Sequence, residues 1–282
     1  MPIHRPIGSN SRIAAKASVN PFLVPQMNQN SENIPWFLSI MYHRVVERLD
    51  APDPHQLSIT TAQLDAQLTY LKNRGYKSVH PLTAIENAKR PTGEKQVVLT
   101  FDDGYVDFMT HALPVLQKHG YAAMAMIVSG QISGRNAWDE GRAEQLTLMG
   151  PAEIKEARAT GIWIGSHSKT HPHMGRLDHV SLISEAADSR KTLEDLLGEP
   201  VPIFCFPYGS QSTLAVNTVQ EAGYEAAYGI EQHRHTRYSL TRVDGVKANG
   251  AGLDWRFRSS GNHYRSRRRG AQVKQILRRA RP

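Results

Sequence analysis

The sequence has one cysteine, no long apolar run and no acidic side chain in its last 27 residues. Because Cys205 is alone, no intrachain disulfide can form, and nothing indicates an oxidising compartment. No segment approaches the roughly 20 apolar residues of a membrane-spanning helix, and the polar start of the chain lacks the apolar core of a secretory signal. We therefore expect a soluble, cytoplasmic protein whose residues 1–34 are disordered.

The net charge of +8 is concentrated at one end of the chain. Residues 256–282 contain nine arginines and one lysine, so the preceding part of the chain is close to neutral. A positive charge spread over the fold would predict a nucleic-acid partner, and we expect no specific one here. Residues 251–282 are predicted to be a basic tail that either attracts an anionic surface or polymer or is a solvated, disordered end.

Helix-like stretches alternate with short apolar stretches between residues 35 and 250. Five of the helix-like stretches end at a glycine, which suits the left-handed position just past a helix: Gly75, Gly120, Gly161, Gly198 and Gly223. The predicted strands cover residues 37–42, 97–101, 122–128, 162–165, 202–206 and 226–230. Strands that alternate with helices predict a single α/β domain over 35–250, either a barrel or an open sheet.

Polar residues follow several of these predicted strands. They are His43, the adjacent Asp102 and Asp103, and His167, which begins a His-x3-His spacing that ends at His171. In a parallel barrel the carboxyl ends of the strands meet at one rim, where the chemistry collects. The pattern therefore predicts that these side chains lie together.

This set of residues can hold a divalent metal. One aspartate and the two histidines leave positions free for water and substrate, while the second aspartate stays available as a general base. Zinc is the metal that we predict, but the same ligand types also bind non-haem iron, so they do not determine the identity of the metal. Each motif also has a structural alternative: Asp-Asp-Gly is a good turn sequence, and the histidines can belong to a solvated loop.

The order of the motifs resembles that of the polysaccharide deacetylase family, also called the NodB-homology family. Residues 100–104 (Thr-Phe-Asp-Asp-Gly) are similar to its first motif, residues 166–171 contain its His-Ser/Thr-x-x-His motif, and residues 207–209 (Pro-Tyr-Gly) resemble the third. The resemblance implies a distorted (β/α) barrel that removes an N-acetyl or similar acyl group from a carbohydrate. It also implies that Asp103, His167 and His171 bind the metal, that Asp102 is the base and that the backbone N–H of Tyr208 binds the oxyanion.

Two departures from the family pattern affect these assignments. Many members have an arginine that orients the base where this chain has Cys205, so that contact must be missing or come from elsewhere. No copy of the family's final motif, which supplies the general acid, follows the third motif. We propose His43 instead, because a subgroup similar to poly-N-acetylglucosamine deacetylases has a Tyr-His segment on its first strand, and first and last strands of a closed barrel are neighbours. The alternative is a histidine held by a backbone carbonyl.

Two other functions remain open from the sequence. One is a non-catalytic carbohydrate-binding protein on a deacetylase scaffold. The other is another metal-dependent hydrolase or oxygenase with the same ligands. Phe206, Tyr208 and Trp138 could offer apolar faces to sugar rings or pack in the core.

Overall fold

The computed structural model describes residues 33–50, 53–90, 92–230 and 235–248. The expected disordered start, apart from residues 33 and 34, and the basic tail lie outside these ranges. All described residues belong to one unit, which begins at Ser31. In these ranges no helix has the length and apolar character needed to cross a membrane.

The strands are parallel wherever they pair within a sheet. They are β1 (Leu38–Tyr42), β2 (Arg44–Val46), β3 (Ser58–Thr60), β4 (Tyr76–Ser78), β5 (Lys95–Phe101), β6 (Met124–Ile127), β7 (Trp163–Ser166), β8 (Ile203–Cys205), β9 (Ala226–Tyr228) and β10 (Val243–Asp244). The main sheet has the order β10-β1-β5-β6-β7-β8-β9, with β4 also beside β5, and β2 pairs with β3 in a small second sheet. All six predicted strands are confirmed, with shifts of one or two residues at most of their ends.

Helices connect the strands, as the alternating pattern predicts. They are α1 (Thr61–Asn73), α2 (Pro81–Lys89), α3 (Leu113–His119), α4 (Pro151–Ala159), α5 (His179–Ile183), α6 (Ser189–Leu197) and α7 (Thr213–Glu221). A π-helical turn, Phe108–Ala112, precedes α3, and a second, Ser184–Asp188, joins α5 to α6. The five glycines predicted to end helices all have positive φ, between 69° and 94°.

The segment 240–244 connects the two ends of the main sheet. Leu240 exchanges backbone hydrogen bonds with β9, where its N–H donates to Ala227 and its carbonyl accepts from Gly229, both at 2.9 Å. Three residues later the same segment becomes β10, which pairs with β1. The result is a distorted (β/α) barrel, as expected.

Side-chain alternation along the strands separates two apolar clusters. The larger lies between the sheet and the helices, apart from α2, and includes Leu99 and Phe101 of β5. The smaller lies on the interior face of the barrel and includes Val98 of β5 and Met126 of β6. Because successive side chains of a strand point to opposite faces, the residues that continue the interior rows beyond the strand ends also face inward. These residues are His43 after β1, Asp102 after β5 and His167 after β7.

Candidate metal centre and active site

Asp103, His167 and His171 form a buried cluster at the carboxyl ends of β5 and β7. Oδ1 of Asp103 lies 3.4 Å from Nε2 of His167 and 3.3 Å from Nε2 of His171. Two ligand atoms held roughly 2.0–2.1 Å from one ion with tetrahedral geometry are about 3.4 Å apart, so these separations suit a common metal. The predicted ligand set is thus brought together.

Two features of the cluster fit a metal ion better than a closed hydrogen-bond network. Within the described ranges, Oδ1 of Asp103 and Nδ1 of His171 are buried atoms that no well-formed hydrogen bond satisfies. Burial alone would raise the pKa of Asp103, but the two histidines outweigh it and hold the pKa well below its usual value. The aspartate is therefore ionised, as a metal ligand must be.

A second group of possible ligands adjoins the first. Asp102, His167 and Cys205 also have donor atoms within 4.8 Å of one another. However, the guanidinium of Arg242 lies against this group, with Nη2 3.1 Å from the sulfur of Cys205. A neighbouring positive charge opposes a cation at this position, so the first group is the better candidate for a metal.

Backbone conformation separates the two adjacent aspartates. Asp103 has a φ of 76°, which is in the left-handed region, whereas the N–H of Asp102 still continues the sheet by donating to the carbonyl of Tyr42 at 2.9 Å. This change turns the side chain of Asp103 towards the histidines and leaves Asp102 on the interior row. The two carboxylates can therefore have different roles.

Asp102 forms an ion pair with Arg242 deep in the barrel. Nη1 of Arg242 donates to Oδ1 of Asp102 at 2.6 Å and to Oγ1 of Thr100 at 3.0 Å, and both members of the pair are almost fully buried. Burial raises the pKa of Asp102, but the charges of Arg242, His167 and His43 together bring it below its ordinary value. The carboxylate is thus held at Oδ1 by Arg242, and its Oδ2 accepts a weak hydrogen bond from the thiol of Cys205 at 3.7 Å.

Arg242 is a site residue that sequence reasoning missed. Many family members contact the first aspartate of the first motif with an arginine at the position of Cys205. In this chain Arg242 makes that contact with Asp102, and it comes from the segment 240–244. Cys205 leaves room for it on β8, where the sulfur accepts from the guanidinium. The only signal in the sequence was indirect: the third motif lacks its arginine, and Arg242 stands just before the valine that begins a short strand.

His43 borders the same carboxylate from the opposite side. Its Nε2 is 3.9 Å from Oδ2 of Asp102, and its side chain is partly exposed. The residues that follow are tied to the first motif, because Asp107 accepts from the backbone N–H of Val45 at 3.3 Å and from Nε of Arg44 at 3.4 Å. His43 therefore lies beside Asp102 and is partly open to solvent, on a segment anchored to Asp107 just after the first motif.

Aromatic rings surround the metal cluster. Trp138 stacks on the ring of His171 with centroids 4.3 Å apart, and the ring of Tyr208 meets the same histidine edge-on at 4.6 Å. Tyr208 is partly exposed and has a φ of 56°, in the left-handed region. Phe206 is buried in the outer cluster and offers no face to a ligand. Of the three aromatic residues considered, two line the site.

Comparison with known proteins finds relatives over the part of the chain that contains the site. The sequence profile of the polysaccharide deacetylase family matches residues 89–227. YxkH of Bacillus subtilis, which carries the name of a polysaccharide deacetylase, is 28% identical over 211 residues, which cover 72% of this chain and 69% of YxkH. The poly-beta-1,6-N-acetyl-D-glucosamine N-deacetylase of Escherichia coli K12 is 35% identical over 244 residues, covering 70% of this chain but only 35% of that protein.

Solved structures agree on the fold. The de-N-acetylase of Aggregatibacter actinomycetemcomitans superposes with a TM-score of 0.64 at 20% identity, and the match covers 78% of this chain and 99% of that one. At this level of identity the likeness concerns the barrel and not the substrate. The aligned part of the chain corresponds to about a third of the length of the Escherichia coli relative.

Proposed function

Because the chain belongs to the polysaccharide deacetylase family, we propose that it is a metal-dependent hydrolase that removes an N-acetyl or similar acyl group from a carbohydrate and releases acetate. The convergence of Asp103, His167 and His171 beside the Asp102–Arg242 pair carries this proposal. A non-catalytic binding protein would have no need to hold an ionised, buried carboxylate beside an unsatisfied ligand cluster, since both features destabilise the fold.

We propose zinc as the metal, held by Oδ1 of Asp103 and Nε2 of His167 and His171. Two imidazoles and one carboxylate are a common donor set for catalytic zinc, with further positions left for water and substrate. When bound, such an ion polarises the acyl carbonyl and acidifies a coordinated water. Nδ1 of His167 faces the carbonyl oxygen of Cys205 at 2.9 Å, which fixes the ring so that Nε2 faces the cluster.

Asp102 is proposed to act as the general base. Arg242 binds its Oδ1, which leaves Oδ2 on the side of His43 and His167, at 3.9 and 4.0 Å. In this role Oδ2 accepts a proton from the attacking water as the oxygen–carbon bond forms. Because the pKa of Asp102 is lowered, the carboxylate is ready to accept that proton at neutral pH.

His43 is proposed to act as the general acid. When the carbon–nitrogen bond of the tetrahedral intermediate breaks, the imidazolium gives its proton to the leaving nitrogen, so that acetate and a free amine result. The partial exposure of His43 next to the base supports this role. The backbone N–H of Tyr208, which lies on a left-handed turn beside His171, is proposed to bind the oxyanion.

The first test measures acetate release from a panel of acetylated glycans in the presence and absence of a chelator. Poly-β-1,6-N-acetylglucosamine heads the panel, because the Escherichia coli relative is named for that polymer. We expect the unaltered chain to release acetate, and we expect both chelation and Asp103→Ala to abolish this release. Added zinc or cobalt should restore release by the chelated unaltered chain but not by the Asp103→Ala variant. Release that persists in the chelated Asp103→Ala variant would contradict the metal-dependent mechanism.

The role of His43 is tested by replacing it. We expect His43→Ala and Asp102→Asn each to lower kcat at least a hundredfold, since general acid–base catalysis contributes about 10²–10⁴-fold. His119→Ala serves as a control, because that histidine lies at the end of α3, where its Nε2 is hydrogen-bonded to Asp65 at 2.8 Å. A His43→Ala variant with unchanged turnover would leave His43 as a structural histidine.

The basic tail lies outside the described residues, and its binding to an anionic surface stays a prediction. Liposomes that contain anionic lipid should retain the full chain and release a chain that lacks residues 256–282. Equal retention of the two forms would make the tail incidental to binding.

A further inference from the structure

The loop that joins the two metal-binding histidines has an unfavourable backbone conformation. Ser168 and His171 have φ values of 66° and 64°, in the left-handed region, and neither is glycine. This conformation is unfavourable for a non-glycine residue, because its Cβ comes too close to the following carbonyl oxygen. A loop of this kind keeps its conformation only where surrounding groups hold it.

One buried carboxylate holds the centre of this loop. Oε2 of Glu185 accepts from the backbone N–H groups of Lys169 and Thr170 at 2.9 and 2.8 Å, and Oε1 accepts from the hydroxyl of Thr170 at 2.5 Å. Hydrogen bonds to an ionised acceptor are about twice as strong as neutral ones. Glu185 thus satisfies two of the three backbone N–H groups that lie between the two histidines, while the third, that of Ser168, donates to the hydroxyl of Ser166 at 3.3 Å.

The π-helical turn between α5 and α6 places Glu185 in this position. The turn Ser184–Asp188 contains Glu185, and the hydroxyl of Tyr224 donates to the carbonyl of Ala186 within it at 3.1 Å. Ser189, just after the turn, donates to the carbonyl of Ser168 at 3.0 Å. Such one-turn π-helical insertions occur frequently at functional sites, because they redirect side chains without interrupting the helix.

The loop contacts Glu185 and the metal cluster at opposite sides. His167 and His171 flank the two backbone groups that Glu185 binds, and both turn their Nε2 atoms to Asp103. The N–H of His171 is in addition fixed by the hydroxyl of Ser168 at 3.0 Å. Without Glu185, the loop can relax from its left-handed conformations and move the imidazoles apart.

We propose that Glu185 is a positioning residue that sets the metal affinity of the site by holding the His167–His171 loop in its ligating conformation. The inference rests on the proposed metal site and adds a residue outside the three motifs described above. Groups that orient metal ligands typically contribute 10–100-fold to metal affinity. We therefore expect Glu185→Ala to weaken zinc binding by about that factor.

The test is a calorimetric zinc titration of the dialysed full-length chain and its variants. Asp188→Asn is the matched control, because Asp188 lies in the same π-helical turn and also contacts the loop, through an exposed ion pair with Lys169 Nζ at 2.8 Å. It removes the same charge but no acceptor of a backbone N–H. We expect near-normal zinc affinity for Asp188→Asn and an intermediate value for Glu185→Gln, whose amide oxygen still accepts from the backbone.

Three measurements separate this role from a merely structural one. Thermal unfolding in chelator reports the stability of the metal-free chain, the titration reports zinc affinity, and the absorption spectrum of bound cobalt reports ligand geometry. A Glu185→Ala variant that is less stable but binds zinc as tightly as the unaltered chain, with the same cobalt spectrum, would overturn the proposal.

The remaining outcomes are also decisive. If Glu185→Ala does not fold, Glu185→Gln takes its place, and zinc affinity equal to that of the unaltered chain would overturn the proposal. Equal weakening by Asp188→Asn would attribute the effect to charge and not to the held backbone. If the unaltered chain binds no zinc or cobalt, the proposed metal site fails, and the inference fails with it.

Discussion

At the residue scale, Arg242 holds a carboxylate that would otherwise be an isolated charge in the barrel. Removing one partner of a buried ion pair typically costs about 3–5 kcal/mol, because the remaining charge loses its compensation. The same guanidinium also keeps the pKa of Asp102 low, against the effect of burial. Its loss should therefore change both the stability of the fold and the pH at which the base works.

We predict that Arg242→Met moves the acid limb of the kcat/KM pH profile upward by about one pH unit or more, since a neighbouring arginine lowers the pKa of an aspartate by about 1–3 units. The profile is measured on the substrate found in the glycan panel. Arg237→Met, on the partly exposed arginine five residues earlier, should leave the acid limb in place. An unshifted limb for Arg242→Met would show that Asp102 is not the titrating base.

Asp107 gives the second residue-scale prediction. Burial raises its pKa from an ordinary value of 3.8 to about 6, although the charge of Arg44 and the N–H of Val45 act in the opposite direction. Because the folded chain binds this proton more tightly than the unfolded chain, the unfavourable contribution is absent below pH 3.8. It grows as the pH rises to about 6.

We predict that Asp107→Asn removes this pH dependence. Relative to the native chain, the variant should gain on the order of 3 kcal/mol in free energy of unfolding between about pH 4 and pH 6, at about 1.4 kcal/mol per pKa unit. Urea unfolding at a series of pH values measures the difference. A constant difference across this range would contradict the raised pKa.

At the scale of elements, the turn after β8 brings the backbone close to another segment. Gly209 has a φ of 63°, and a Cβ atom there would lie 2.9 Å from the backbone nitrogen of Ile230. Gly141 also has a positive φ, of 73°, but a Cβ atom there would meet nothing within 4 Å. The two glycines share the conformational requirement and differ in the close contact.

We predict that Gly141→Ala and Gly209→Ala each lose about 1–2 kcal/mol of stability from the left-handed backbone. Gly209→Ala should in addition lose turnover, because the contact displaces Tyr208, whose N–H is proposed to bind the oxyanion. Thermal unfolding and acetate release measure the two effects. Equal turnover in both variants would argue against a role for the Tyr208 turn.

Much of the element pattern could be predicted from the sequence. Apolar runs identified six strands, and glycines placed five helix ends, because both signals are local. Motifs at the predicted strand ends also indicated five site residues: His43, Asp102, Asp103, His167 and His171. Arg242 and Glu185 could not be found in this way, because no local pattern marks their contacts. Arg242 pairs with Asp102, which lies 140 positions earlier in the chain, and Glu185 binds Thr170, which lies 15 positions earlier.

At the scale of the whole molecule, the metal ligands join separate parts of the barrel. Asp103 follows β5 and the histidines follow β7, while β6 lies between these strands in the sheet. A ligand that binds only the folded chain stabilises it by about 2.7 kcal/mol at a concentration 100 times its dissociation constant. Metal binding should therefore stabilise the whole barrel against unfolding.

We predict that zinc raises the thermal unfolding temperature of the native chain and that Asp103→Ala abolishes the rise. Asp65→Ala is the control, because that carboxylate forms ion pairs with Lys118 and His119 at the surface, away from the strand ends. It should leave the rise intact. A zinc-dependent rise in the Asp103→Ala variant would place the metal elsewhere.

The segment 240–244 is synthesised long after the first strand that it pairs with. β1 pairs with a strand about 200 residues later, so His43 leaves the ribosome early and Arg242 leaves late. At about 5–20 residues per second, the interval between them is roughly 10–40 s. Until the segment 240–244 emerges, Asp102 lacks its counter-charge and the nascent barrel remains open. A chain interrupted before this segment therefore lacks both the strand that pairs with β1 and the arginine that pairs with Asp102.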